Sequence, residues 1–182
     1  MRAYLRYLWI QMKQSWAKRR KPPHPIPDDA LRVIARLLGR RDVAILCVGA
    51  RNRREPDAWR AHGYPNVTAV DLVLSRGVRF ADMHRLPFAD ATFDLIVASH
   101  VLEHAYDPEI AVKEICRVLR LGGFLWAAWP TGPTFVRSEH DRINYGSAGA
   151  FRAYVAEVCG RRIEMIWREN APTESKVLVK IG

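Results

Sequence analysis

Ala44-Ile-Leu-Cys-Val-Gly-Ala-Arg-Asn-Arg-Arg-Glu55 reads as a short buried strand, a turn opening on Gly49, and the first turn of a helix. The next strand pattern closes on Asp71, followed by Leu72. A strand, a turn small enough for backbone to approach a ligand, a helix and an acid about 20 positions on form the arrangement that holds a ribose in a Rossmann-like sheet. Gly49 supplies the small turn, because a residue without Cβ lets the chain adopt positive φ and come close to what it binds. Asp71, at the tip of the second strand, is the expected acceptor for ribose hydroxyls.

Outward from this stretch, strands and helices alternate, which predicts a parallel sheet covered on both faces. Strands are expected near 43–48, 67–71, 78–81, 93–98 and 123–129. Helices are expected near 54–62 and 108–120, the second with Asp107 as cap and Pro108 at its first position. Six residues separate Asp71 from Val78, too few for a helical crossover, so the third strand should be short or irregular. Ser147 caps a helix to about Val158, and alternating runs at 162–169 and 175–181 are joined closely enough for an antiparallel hairpin. The expected fold class is thus α/β, Rossmann-like, a mostly parallel sheet ending in a C-terminal antiparallel hairpin.

Two units are expected, residues 1–27 and residues 28–182. In the first, Tyr4, Leu5, Leu8, Trp9, Met12 and Trp16 recur at helical spacing among basic residues. Pro22, Pro23, Pro25 and Pro27 then enforce an extended hinge. Asp28 and Asp29 open the next helix, whose stripe is Leu31, Ile34, Leu37 and Leu38, and Gly39 ends it. The net charge of +10 is uneven. Residues 1–41 hold eleven Lys/Arg against two Asp, whereas the rest is nearly neutral. That excludes a nucleic-acid surface spread over the whole chain, and no nucleic-acid partner is expected. The helix of residues 1–20 has two expected roles: a lid packed by its stripe, or a contact with an anionic membrane surface.

No run of 18 apolar residues occurs, and the N-terminal stretch lacks the pattern of a secretory signal. Cys47, Cys116 and Cys159 are odd in number and scattered, which predicts reduced thiols and a cytoplasmic location, membrane-peripheral if the first helix lies on a bilayer.

Three later segments extend the pattern: Asp82-Met-His-Arg-Leu-Pro-Phe88, Phe93-Asp-Leu-Ile-Val-Ala-Ser-His-Val-Leu-Glu-His104, and Arg117-Val-Leu-Arg-Leu-Gly-Gly-Phe-Leu125. Their order resembles class I S-adenosylmethionine (SAM)-dependent methyltransferases of the type 11 kind, over roughly half the chain. The resemblance implies SAM as cofactor. It implies that Gly49 and Ala50 form the turn against it, that Asp71 and Leu72 meet the ribose, that Asp82 and Met83 meet the adenine, and that Ser99 and His100 line the opposite wall. The first motif departs from the family pattern, since Cys47 replaces an acid and Arg51 and Asn52 stand where glycines are usual. It looks like a variant G-x-R-x-x-x-E form, in which Arg51 faces the cofactor carboxylate and Glu55 sits on the first helix turn.

His100-Val-Leu-Glu-His104 also matches H-x-x-E-H, an inverted zinc-peptidase signature. That motif needs a helix on both sides and a third helical ligand, whereas here it follows a buried strand, so no metal is expected. Methyl transfer asks mainly for alignment and, for a hydroxyl acceptor, a base. His100 at the end of the fourth strand is the first candidate and His140, in the loop after the fifth strand, the second. The expected activity is methyl transfer to a small-molecule acceptor, a saccharide or natural-product intermediate that includes lipid-linked ones. The alternative from the degenerate glycine turn is a non-catalytic binding or scaffold subunit.

Overall fold

The structure, a computed structural model, describes residues 2–132 and 141–182. The all-apolar run at Ile45–Val48 forms β1 at the centre of a seven-stranded sheet. It pairs in parallel with β2 (Val67–Asp71) on one side and β4 (Phe93–Ser99) on the other. β3 (Arg79–Phe80) pairs in parallel with the end of β2 over only two residues, short as the connection after Asp71 requires. β5 (Leu119–Pro130) lies parallel to β4, and β6 (Ile163–Asn170) and β7 (Glu174–Ile181) close the sheet antiparallel. The order is β3-β2-β1-β4-β5-β7-β6. β5 begins earlier than the sequence suggests. Gly122 and Gly123 lie inside it, at a break in register where Phe93 pairs with Leu119 but Leu95 pairs with Phe124.

Strand side chains alternate between two cores, as the two-residue period demands. Leu46, Val48, Ile96, Leu125 and Val179 pack toward α4 (Pro108–Val118) and α5 (Ala148–Cys159). Ile45, Cys47, Leu95, Val97 and Trp126 pack toward α2 (Asp28–Leu38) and α3 (Arg54–Ala61). Cys47, where the family has an acid, is therefore a fully buried core residue. The Asp107 carboxylate accepts the Ile110 N–H at 3.0 Å at the head of α4, and Ser147 accepts that of Ala150 at the head of α5. Asp94 is structural, accepting the Ala44 N–H at 2.8 Å and pairing with Arg120 at 2.7 Å.

Two expectations are corrected here. Cys116 and Cys159 form a disulfide, with Cα atoms 6.2 Å apart. Packing of α4 against the end of α5 brings them together across 43 residues, a proximity that spacing cannot reveal. The thiol pattern therefore no longer argues for a reducing compartment. Thiol titration of the unfolded, unreduced chain should find one reactive cysteine, Cys47, and three after reduction; three before reduction would show that the bridge does not form.

The second correction concerns α1 (Arg2–Lys18). Its apolar stripe is not core. Leu5, Trp9, Met12 and Trp16 face outward, whereas Tyr7 and Gln11 are its buried residues. The domain receives the more polar face because that face meets carboxylates at the carboxyl ends of β2 and β3. No described helix is long and apolar enough to cross a membrane.

Candidate functional site

At the carboxyl end of β1 the chain turns on Gly49, at φ 75°. A Cβ there would lie 2.4 Å from Val101 Cγ2, so only glycine fits. The Gly49 and Ala50 N–H groups both donate to the Val70 carbonyl, at 2.8 and 3.2 Å, tying the turn to β2. Arg51 also has positive φ, 47°. Its N–H donates to Asp71 Oδ2 at 3.2 Å, and its carbonyl accepts the Ser75 hydroxyl at 3.2 Å.

Asp71 is 5% exposed, and its Oδ1 accepts the Val73 N–H at 2.9 Å. Burial raises its pKa, while hydrogen bonds from Val73, Ser15 and Arg51 pull the other way. A buried carboxylate ringed by donors and facing a cavity is an acceptor poised for hydroxyl groups. Asp82 is arranged differently. Its Oδ1 accepts the His84 N–H at 3.0 Å and lies 2.6 Å from His84 Nδ1, while Oδ2 accepts the Tyr4 hydroxyl. The Asp107 N–H donates to His84 Nε2 at 3.1 Å, which leaves the ring proton on Nδ1, pointing at Asp82. Burial would raise the Asp82 pKa, but His84 and Tyr4 outweigh it and hold the carboxyl below its ordinary value.

The cavity that Asp71 faces has a volume of about 230 Å³. Among its lining are Gly49, Arg51, Asp71, Leu72, Met83 and His100, all marked by the sequence. Ala50, Glu55 and Ser99 line a smaller adjoining cleft that Gly49 and Arg51 share. Burial pushes the Glu55 carboxyl up to about 7 against the pull of Arg51. The Ser99 hydroxyl accepts the Trp126 indole N–H at 3.3 Å. Asp82 does not line the cavity, although its neighbour Met83 does, and its two oxygens are engaged by Tyr4 and His84. His140 lies outside the described residues.

At the opposite wall stands His100, itself at φ 51°. Its Nε2 is 2.5 Å from Glu174 Oε1, and its Nδ1 is 3.6 Å from Glu103 Oε1, too long for a hydrogen bond. Nε2 therefore carries the proton to Glu174, and Nδ1 makes no hydrogen bond to the described residues. Burial lowers the His100 pKa, yet Glu103 and Glu174 outweigh it and raise the pKa above its ordinary value. Lys176 holds Glu174 at 2.8 Å. Glu103 is 1% exposed, and its Oε2 has no hydrogen-bond partner among the described residues. His24 stacks on His100 with ring centres 3.9 Å apart. Burial, followed by the charges of His100 and Arg51, pushes its pKa down to about 4.

The H-x-x-E-H residues do not form a helical metal face. His100 follows a strand, Leu102–His104 is one 3-10 turn, and His104 Nδ1 pairs with Asp141 at 3.0 Å. Glu174 escaped the sequence reading because it lies 74 residues away on a hairpin strand whose glutamates look like solvent-facing alternation.

The N-terminal helix closes the site. Tyr7, Gln11, Ser15 and Lys18 line the cavity, and the Ser15 hydroxyl donates to Asp71 Oδ2 at 3.4 Å. The unusual turn residues attach its end: Asn52 Nδ2 donates to the carbonyls of Arg19 and Lys21, both at 2.9 Å, and Arg54 to that of Arg20 at 3.0 Å. Asn52, standing where glycine is usual, is thus the anchor of α1.

A methyltransferase domain family matches residues 46–127. A protein of Mycobacterium tuberculosis named as a probable S-adenosylmethionine-dependent methyltransferase is 38% identical over 81 residues, 42% of this chain and 30% of that protein. The 2-methyl-6-phytyl-1,4-hydroquinone methyltransferase 2 of Oryza sativa is 44% identical over 54 residues, 30% of this chain and 16% of that one. The chain thus spans less than a third of the length of these relatives. The crystal structure of 1,6-didemethyltoxoflavin-N1-methyltransferase from Burkholderia thailandensis, with 1,6-didemethyltoxoflavin and S-adenosylhomocysteine bound, has the same fold. Its TM-score is 0.71 over 99% of this chain and 89% of that one, at 17% identity.

Proposed function

We propose that this chain, a class I SAM-dependent methyltransferase by its sheet and by the domain matched over residues 46–127, moves a methyl group from SAM to a small-molecule acceptor. The observation that carries the proposal is the cradle of Gly49 and Asp71. A turn that admits no Cβ stands beside a buried carboxylate that is ringed by donors and opens on the cavity. That donor set suits a ribose diol, so the residues present fit the cofactor. Asp71 would take the hydroxyls, Asp82 the adenine amino group and the Met83 amide a ring nitrogen. Arg51 would face the carboxylate end, with Glu55 beside it. When bound, SAM supplies a methyl carbon already activated by its sulfonium.

For a hydroxyl acceptor the remaining task is a proton. His100 takes it on Nδ1, because Glu174 fixes the ring through Nε2. Glu103 then stabilises the imidazolium from 3.6 Å. Tyr7, Gln11 and Lys18 of α1 wall one side of the cavity, and a wall there reduces the water around the reacting groups. The proteins to which this chain is similar are named for a phytyl hydroquinone and a didemethyltoxoflavin, both small molecules. The acceptor class proposed here is a saccharide or natural-product intermediate, including lipid-linked ones.

The test is transfer of label from methyl-labelled SAM across a panel of such acceptors, with Asp71→Ala as control. Transfer that needs Asp71 supports the proposal. Saturable SAM binding with no transfer to any hydroxyl, amine or carbon acceptor would favour a scaffold subunit.

A further inference from the structure

The outward face of α1 has no role in the cavity. Leu5, Trp9, Met12 and Trp16 are 58, 59, 41 and 58% exposed and follow one another at four- and three-residue steps. A single exposed apolar side chain needs no explanation, but four large ones on one stripe mark a contact surface. Its charge limits what that contact is. Residues 2–21 hold seven Lys/Arg and no Asp or Glu. Lys13 Nζ stands 4.2 Å from the centre of the Trp9 ring, and the Arg19 guanidinium 3.7 Å from that of Trp16. These two cations edge the aromatic stripe.

Protein interfaces are depleted in lysine at their apolar centres, and a nucleic-acid backbone has no use for leucine and methionine. A lipid surface meets both demands: tryptophans settle at headgroup depth, aliphatic side chains just below, and cations pair with anionic headgroups. We propose that the outward face of α1 docks on an anionic lipid surface.

Docking requires no unpacking. The inward face keeps Tyr4 on Asp82 and Ser15 on Asp71, and Asn52 and Arg54 hold the end of the helix. Lid and anchor are then two faces of one helix, and the wall of the cavity lies against the bilayer. The inference is independent of the transfer reaction, since its readout is binding.

The test sediments the intact chain, without SAM, with vesicles of phosphatidylcholine alone or mixed with phosphatidylglycerol. The expected result is binding at least about tenfold tighter to the anionic vesicles, weakening as salt rises. The double variant Trp9→Ala/Trp16→Ala should lose about tenfold or more of that binding while its melting temperature and SAM affinity hold, because neither ring touches the cavity. Three outcomes overturn the proposal. The parent chain fails to bind anionic vesicles at low salt; or the double variant binds them as the parent does; or the parent is a dimer that the double variant breaks, with no vesicle binding by either, which makes the face a self-interface.

Discussion

His100→Asn is expected to lower turnover of a hydroxyl acceptor by about 10²–10⁴-fold, the usual contribution of a positioned base. Asparagine is the informative replacement because it tolerates the positive φ at this position, whereas most side chains would add strain. SAM affinity should fall far less than turnover, which separates loss of the base from loss of the wall. The pH dependence has a definite sign. The two carboxylates raise the His100 pKa above 6.5, so the imidazole becomes a free base only above that raised value. Turnover should therefore climb with pH through a midpoint above 6.5. Glu174→Gln removes one carboxylate, so the midpoint should move down, and the maximal rate should fall as the ring loses its anchor. A profile with an unchanged midpoint in Glu174→Gln would remove His100 from the role of base.

Asp71→Ala should weaken SAM binding by about 1.5–3 kcal/mol, roughly 10- to 150-fold, the loss of charge-assisted bonds to ribose. The carboxylate also satisfies the N–H groups of Arg51 and Val73, so alanine should lower stability as well. Asp71→Asn separates the effects. Its one carbonyl oxygen still accepts from one of the two N–H groups, which bond to different oxygens of Asp71, so its melting temperature should fall less than that of Asp71→Ala, while its affinity still drops because the charge is gone. If titration finds parental affinity in Asp71→Ala, the ribose lies elsewhere.

The strands and the mostly parallel sheet with its closing hairpin were legible because each β-run is bounded by turn chemistry and alternates with a helical pattern. The irregular third strand followed from counting residues between Asp71 and Val78. What stayed hidden depends on contacts distant in sequence. His100 was visible as the residue after a buried strand, but Glu174, which fixes its ring, was not. The disulfide needed the packing of α4 on α5. Of the two expected roles of α1, the lid reading took the apolar stripe as core because apolar periodicity implies burial, whereas this helix buries Tyr7 and Gln11 and exposes its tryptophans. Asn52 looked like damage to a glycine turn; its amide holds the end of α1.

Titration calorimetry of the intact chain with SAM and with S-adenosylhomocysteine tests the central claim most directly. One saturable site per chain, in the micromolar range for both ligands and accompanied by a rise in melting temperature, is the predicted result. No heat and no thermal shift with either ligand at millimolar concentration would mean that Cys47 and the Arg51 turn have left the fold without its cofactor, contradicting the assignment.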